Sequence, residues 1–200
     1  MSLATAILEH PLVYRVWQSP FAAGKLAPVL SHNDLGRVRR VLDVGCGPGT
    51  NTAQFSRSEY LGIDINARYV AWAGRRYGRS FVAGDITRYQ LPDGQRFDFV
   101  LVNSLLHHLG DVEAGHILAA VAQTLTPDGF VHILELVLPE ERSLARWLAD
   151  RDRGKFARPL EEWRRLFART FDIALFEPYA VGFPGLSMWN MVYCKGRARA

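Results

Sequence analysis

The sequence predicts an α/β fold, a mostly parallel sheet with helices on both faces and an antiparallel last strand. Three observations lead there. Apolar runs of strand length alternate with helix-compatible stretches between residues 40 and 136. The first run feeds directly into a glycine-rich turn, Gly45-Cys46-Gly47-Pro48-Gly49. After Pro139 the rhythm changes, and two extended segments close the chain. Strand and helix in alternation call for parallel strands joined by right-handed crossovers, with each helix packing back onto the sheet.

The first strand is 40–44, a short buried pattern stopped by Gly45. Similar runs follow at 60–64, 80–83 and 97–102, and a fifth at 130–135 after the turn Thr126-Pro127-Asp128-Gly129. Residues 51–57, 67–77 and 112–125 fit helices between them. Farther on, Leu144, Trp147 and Leu148 share one helical face, as do Leu160, Trp163 and Phe167. The extended segments 171–181 and 189–195 flank a loop with Gly182, Pro184 and Gly185, and together they read as a hairpin added at the sheet edge. Residues 1–35 read as an N-terminal helical lid segment, with Pro11, Pro20 and Pro28 limiting the helix lengths. No repeat or linker interrupts the 200 residues, so 1–200 is expected to form a single domain.

Composition narrows the class. The chain is 48% hydrophobic and 22% charged, ordinary for a globular protein. No stretch reaches the roughly 20 apolar residues of a membrane span, and the first eight residues lack the basic head of a secretory signal. Cys46 and Cys194 are too far apart for a metal clip, so a reducing, cytoplasmic setting is expected. The net charge of +4 raises the question of nucleic acid. The densest basic stretch, residues 142–169, is interleaved with six acidic residues, from Glu140 and Glu141 to Glu161 and Glu162, and reads as a solvated face.

The strongest local signal is Asp43-Val44-Gly45-Cys46-Gly47-Pro48-Gly49, a strand running into a glycine turn. Glycines let the backbone bend sharply and admit a ligand where a Cβ would exclude it. Alone, the motif also fits a tight turn without a ligand. Asp64 ends the second strand, twenty-one residues after Asp43, where a carboxylate can accept bonds from two ribose hydroxyls. Asp85 follows the third strand, placed to bond an adenine amino group while Ile86 covers the ring. A nicotinamide dinucleotide is the main rival ligand, but its fingerprint requires a third glycine where Thr50 stands.

These motifs, with Gly62-Ile63-Asp64-Ile65-Asn66, Gly84-Asp85-Ile86, Phe97-Asp98-Phe99-Val100 and Leu125-Thr126-Pro127-Asp128-Gly129, resemble those of class I methyltransferases. The similarity is clear over residues 38–136, and within the superfamily it is nearest to small-molecule enzymes of the quinone-methylase type. It implies a Rossmann-like, seven-stranded domain that binds S-adenosyl-L-methionine and methylates a small-molecule acceptor at oxygen, carbon or nitrogen. It further implies cofactor contacts from Asp43, Gly45, Cys46, Gly47, Gly49, Asp64, Ile65, Asp85, Ile86 and Asn103.

The acceptor side is expected after the fourth strand, at Asn103-Ser104-Leu105-Leu106-His107-His108-Leu109-Gly110-Asp111, because ligands sit beyond the carboxyl ends of parallel strands. A histidine there can accept the acceptor's proton. The resemblance directs His107 toward the acceptor and His108 toward the protein, and Glu135 is a second candidate base. Paired histidines also pack such loops without catalysing anything, and a sulfonium leaving group aligned with its nucleophile can react without a base. No acidic pair joins Asn103 and Glu135, so no metal is expected. The fourth strand lacks the Asp/Asn-Pro-Pro-aromatic motif of adenine and glutamine methylases. Tyr14, Trp17, Phe21, Trp147, Trp163, Tyr179, Phe183 and Trp189 are candidates to roof an apolar acceptor pocket. A monomer or homodimer acting on a metabolite is the preferred reading. RNA or protein methylation, and a catalytically inactive binding subunit, remain open alternatives.

Overall fold

The computed structural model describes residues 24–92, 94–141, 143–151, 154–183 and 186–199. Its centre is a seven-stranded sheet of order β3-β2-β1-β4-β5-β7-β6. The strands are β1 (Arg40–Val44), β2 (Glu59–Asp64), β3 (Ser80–Ala83), β4 (Phe97–Asn103), β5 (Leu125–Leu136), β6 (Phe171–Phe183) and β7 (Leu186–Ala198). The helices are α1 (24–32), α2 (Ala67–Tyr77), α3 (Asp111–Thr124), α4 (Leu144–Arg151) and α5 (Leu160–Ala168). The first five strands pair in parallel, and β7 runs antiparallel to both β5 and β6.

Alternate residues of the central strands serve two cores. Leu42, Val100, Val102, Val131, Ile133 and Val192 pack with Leu118 and Val121 of α3 and Trp163 and Phe167 of α5. Val41, Phe99, Leu101, Leu134 and Tyr193 face the other way, onto Leu26 and Val29 of α1. Burial on both faces explains why these strands read as continuous apolar runs. Helix α2 begins where the Asn66 side chain accepts from the Arg68 and Tyr69 amides, and it ends at Gly78 in the left-handed conformation (φ 61°).

Four expectations are corrected. Residues 51–57 form no α-helix: only Thr52–Phe55 is helical, in a 3₁₀ turn. The Ser58 hydroxyl donates to Val38 O and draws the chain back to the sheet before a longer helix can form. Pro28 lies inside α1 rather than ending it. The turn expected at Thr126-Pro127-Asp128-Gly129 lies within β5, which already begins at Leu125, whereas the closing hairpin takes the sheet edge as expected, with β7 beside β5 and β6 outermost. Trp163 roofs no pocket; it is fully buried in the core, and its indole N–H donates to Leu136 O. Tyr14, Trp17 and Phe21 lie outside the described residues.

Candidate cofactor and acceptor site

The carboxyl ends of β1, β2 and β3 open onto one cleft of about 350 Å³. Gly45, Asp64, Ile65, Asp85 and Ile86, five of the residues singled out from sequence, line it together. The opposite wall is apolar and comes from Leu105, Leu109 and Ile117, with Glu113 and His116 beside them. From sequence Leu105 and Leu109 belonged to the expected acceptor segment rather than to this cleft, and Glu113, His116 and Ile117 were not singled out.

Asp64 organises the turn. One carboxylate oxygen accepts from the Gly47 amide at 2.8 Å and the other from the Asn66 amide at 2.8 Å. Each oxygen keeps a lone pair for a further donor. The turn's glycines have different reasons to be glycine. Gly47 sits at φ +53°, and a Cβ there would meet nothing within 4 Å, so it borders open space. Gly49 is held by packing, since a Cβ would lie 2.8 Å from the Tyr77 ring. Cys46 is also a packing residue: its thiol is buried and its amide donates to Ile63 O. Burial pushes that thiol's pKa well up, so it is inert as a nucleophile. Asp85 is exposed, and the Thr87 amide and hydroxyl bonded to it hold its carboxyl below the usual range.

Behind the turn a polar chain runs through the sheet. Asp43, wholly buried, accepts from Tyr60 Oη at 2.7 Å and Asn51 Nδ2 at 3.2 Å, and Asn51 Oδ1 accepts from Asn103 Nδ2 at 3.3 Å. Asp43 Oδ1 is buried with no hydrogen-bond partner. Burial raises the Asp43 pKa from 3.8 to about 6, opposed by the Tyr60 and Asn51 bonds and assisted by the Asp64 charge. The native state therefore holds this proton more tightly than the unfolded chain does. Its contribution to stability is full below about pH 4 and is lost as pH rises through 6. Across that window the stability of the wild type relative to Asp43→Asn is expected to fall by on the order of 3 kcal/mol. Urea melts of both proteins between pH 4 and 7 check this, and a flat difference refutes it.

The loop after β4, where the acceptor side is expected, is pinned by Glu135. This fully buried carboxylate accepts from the Leu105 amide at 2.9 Å, the Leu106 amide at 2.6 Å and His107 Nδ1 at 2.7 Å. Both of its oxygens are engaged, which makes it an orienting group. The histidine pair differs from expectation: His107 is buried, 4% exposed, while His108 is the exposed ring. Ser104, between Asn103 and the histidines, has φ 55°, a strained value for a residue with a side chain. Among the described residues no cluster of three His, Cys, Asp or Glu is arranged to hold a metal, and no helix is long and apolar enough to cross a membrane.

Among the described arginines of 142–169, Arg164, Arg165 and Arg169 are exposed, Arg146 is half-buried and Arg158 is buried, with 6% exposure. The aromatics of the acceptor side divide likewise. Trp147 and Phe183 are about half exposed or more (50% and 58%), and Tyr179 is half-buried with its hydroxyl donating to Lys25 O.

Comparisons with known proteins agree with this geometry. Residues 41–129 match a family described as a methyltransferase domain. An uncharacterized methyltransferase of Mycobacterium tuberculosis is 32% identical over 129 residues, 58% of this chain and 64% of that protein. The ubiquinone biosynthesis O-methyltransferase of Rhodopseudomonas palustris is 31% identical over 102 residues, 48% of this chain and 40% of that one. The matches span between a quarter and about two thirds of the length of such curated relatives. In structure the chain is similar to the N-methyltransferase NodS of Bradyrhizobium japonicum in complex with S-adenosyl-L-homocysteine. That likeness has TM-score 0.69 and 16% identity, covers 90% of this chain and 86% of that one, and bears on fold alone. Sheet order, glycine turn, acidic strand ends and sequence relatives coincide, and over residues 41–129 the chain is similar to S-adenosyl-L-methionine-dependent methyltransferases.

Proposed function

We propose that this chain transfers a methyl group from S-adenosyl-L-methionine to a small-molecule acceptor, with His107 receiving the acceptor's proton. The observation that carries the reading is the loop after β4. It gives Leu105 and Leu109 to the wall of the cleft and, between them, presents His107 on a buried carboxylate. The residues fit the cofactor. Asp64 keeps lone pairs that ribose hydroxyls could use, and the lining of the same cleft by Asp85 and Ile86 supports their reading as the adenine contacts. The open space at Gly47 and the unpartnered Asp43 Oδ1 mark the methionine end, with Asn103 beside them.

When bound, S-adenosyl-L-methionine would supply an electrophilic methyl group on a sulfonium that leaves as a neutral thioether. The protein's task is alignment and proton removal. Glu135 Oε2 lies 2.7 Å from His107 Nδ1, and with Nδ1–H donating to that carboxylate the neutral ring carries its basic lone pair on Nε2. An oxygen acceptor is supported by the O-methyltransferase among the relatives and by the need of a hydroxyl to lose its proton on methylation. The half-exposed Trp147 and Phe183 favour an apolar acceptor body.

The test is turnover of S-adenosyl-L-methionine to S-adenosyl-L-homocysteine with a panel of phenols, hydroxy acids and amines, at low and moderate salt. Turnover of a metabolite that changes less than about twofold with salt is expected, since few ionic contacts are made. Turnover confined to RNA or protein, with steep loss in salt, overturns the small-molecule reading. Tight cofactor binding with no turnover of any acceptor identifies a binding subunit instead.

A further inference from the structure

Arg158 is a buried guanidinium in a stretch whose other described arginines mostly face solvent, and all five of its N–H donors are used. Nε donates to Asp111 Oδ1 at 2.9 Å and Nη2 to the same oxygen at 2.7 Å. Nη2 also reaches Leu109 O at 2.9 Å, while Nη1 reaches Leu106 O at 3.4 Å and Phe156 O at 2.9 Å. The guanidinium carbon lies 4.6 Å from the Trp163 ring centroid. A planar five-donor fork stacked on an aromatic ring is a role that lysine, with three donors on a point charge, cannot fill.

The partners all belong to one segment or to the strap that crosses it. Leu106 and Leu109 bracket His107 and His108, and Asp111 starts α3. Within the strap, the Phe156 amide donates to His107 O at 2.9 Å. Gly154 lies flat on the imidazole, where a Cβ would come within 2.0 Å of His107 Cδ2. Farther along, Leu138 N donates to Arg158 O, tying the strap to the end of β5, the strand that carries Glu135. The loop is thus held by Glu135 on one side and by the strap on the other.

We infer that Arg158 is a positioning residue, which clamps the loop after β4 and so sets both the apolar wall of the cofactor cleft and the attitude of the His107 ring. The clamp reaches the cleft through Leu109, whose carbonyl it holds and whose side chain lines the wall. The inference rests on the cleft being the cofactor site, and it stands whether or not His107 is the base.

The experiment uses S-adenosyl-L-homocysteine as the probe. Its affinity is measured by calorimetry, and the His107 ring is followed by NMR with ¹⁵N-histidine, its resonances assigned by their loss in His107→Gln. Arg158→Lys is expected to weaken binding about tenfold, as loss of charge-assisted hydrogen bonds does, and to displace the His107 signals. Phe171→Leu, a core change on the edge strand β6, is expected to lower Tm while leaving both readouts in place. Wild-type affinity and unmoved His107 signals in Arg158→Lys overturn the inference, as does an equal change in Phe171→Leu. If Arg158→Lys does not fold, Asp111→Asn decides, because its side chain is 70% exposed. That variant is expected to weaken binding about threefold, and unchanged binding refutes the clamp. A wild-type protein that fails to bind the probe counts against the cleft assignment and leaves the clamp geometry as it is.

Discussion

The His107→Ala variant is expected to lose on the order of 100- to 10,000-fold in turnover, the usual cost of removing a general base, while its affinity for S-adenosyl-L-homocysteine stays within a few-fold of wild type. The separation follows from position. The ring is held by Glu135, and the lining of the cleft does not include it. Removing the ring also leaves the Glu135 carboxylate with one donor fewer in a buried place, so some loss of stability accompanies the change. His107→Gln, which keeps most of the bulk, and rescue by added imidazole separate lost chemistry from lost packing. Imidazole restoring turnover in the Ala variant supports a proton acceptor. Full activity in either variant reduces His107 to a structural residue. His108→Ala is expected to change little, because that ring is exposed.

Cofactor binding is expected to suffer most from changes at the glycine turn and its anchor. Asp64→Ala removes the acceptor of the Gly47 and Asn66 amides and, in the proposed complex, of the ribose hydroxyls. A hydrogen bond to a charged group contributes about 1.5–3 kcal/mol, so a loss of roughly 10- to 150-fold in affinity follows from one such bond. Gly47→Val is expected to be worse. It places a branched side chain at φ +53°, a region costing about 1–2 kcal/mol for L-residues, and projects it into the space the ligand needs. Calorimetric titration with S-adenosyl-L-homocysteine reads both. Near-wild-type affinity in Gly47→Val removes the turn from the site. By contrast, Gly49→Ala both strains a backbone at φ +75° and crowds the Tyr77 ring, and its effect is expected in Tm.

The sequence by itself determined the frame. The positions of the strands, the order of the motifs and the helices over Ala67–Tyr77 and Asp111–Thr124 follow from local apolar periodicity and from capping residues such as Asn66 and Gly78, whereas β5 and β7 run about twice as long as their apolar runs. Because parallel strands put their carboxyl ends on one side, that order also brought Gly45, Asp64 and Asp85 to a common cleft. Tertiary structure decided the rest. The order β5-β7-β6 depends on pairing between strands some sixty residues apart in sequence, as at Ile133 and Cys194, and no local pattern encodes it. The burial of His107 and the exposure of His108 depend on Glu135 and on the strap at Gly154, contacts that span 28 and 47 positions. Arg158 reads as one more arginine in a mixed-charge stretch. Only folding brings Leu106 O, Leu109 O and Asp111, about fifty residues upstream, within reach of its guanidinium. Periodicity reports which face of an element is buried. Which charged group is drawn inside depends on the carbonyls and carboxylates that meet it there, and these belong to other parts of the chain.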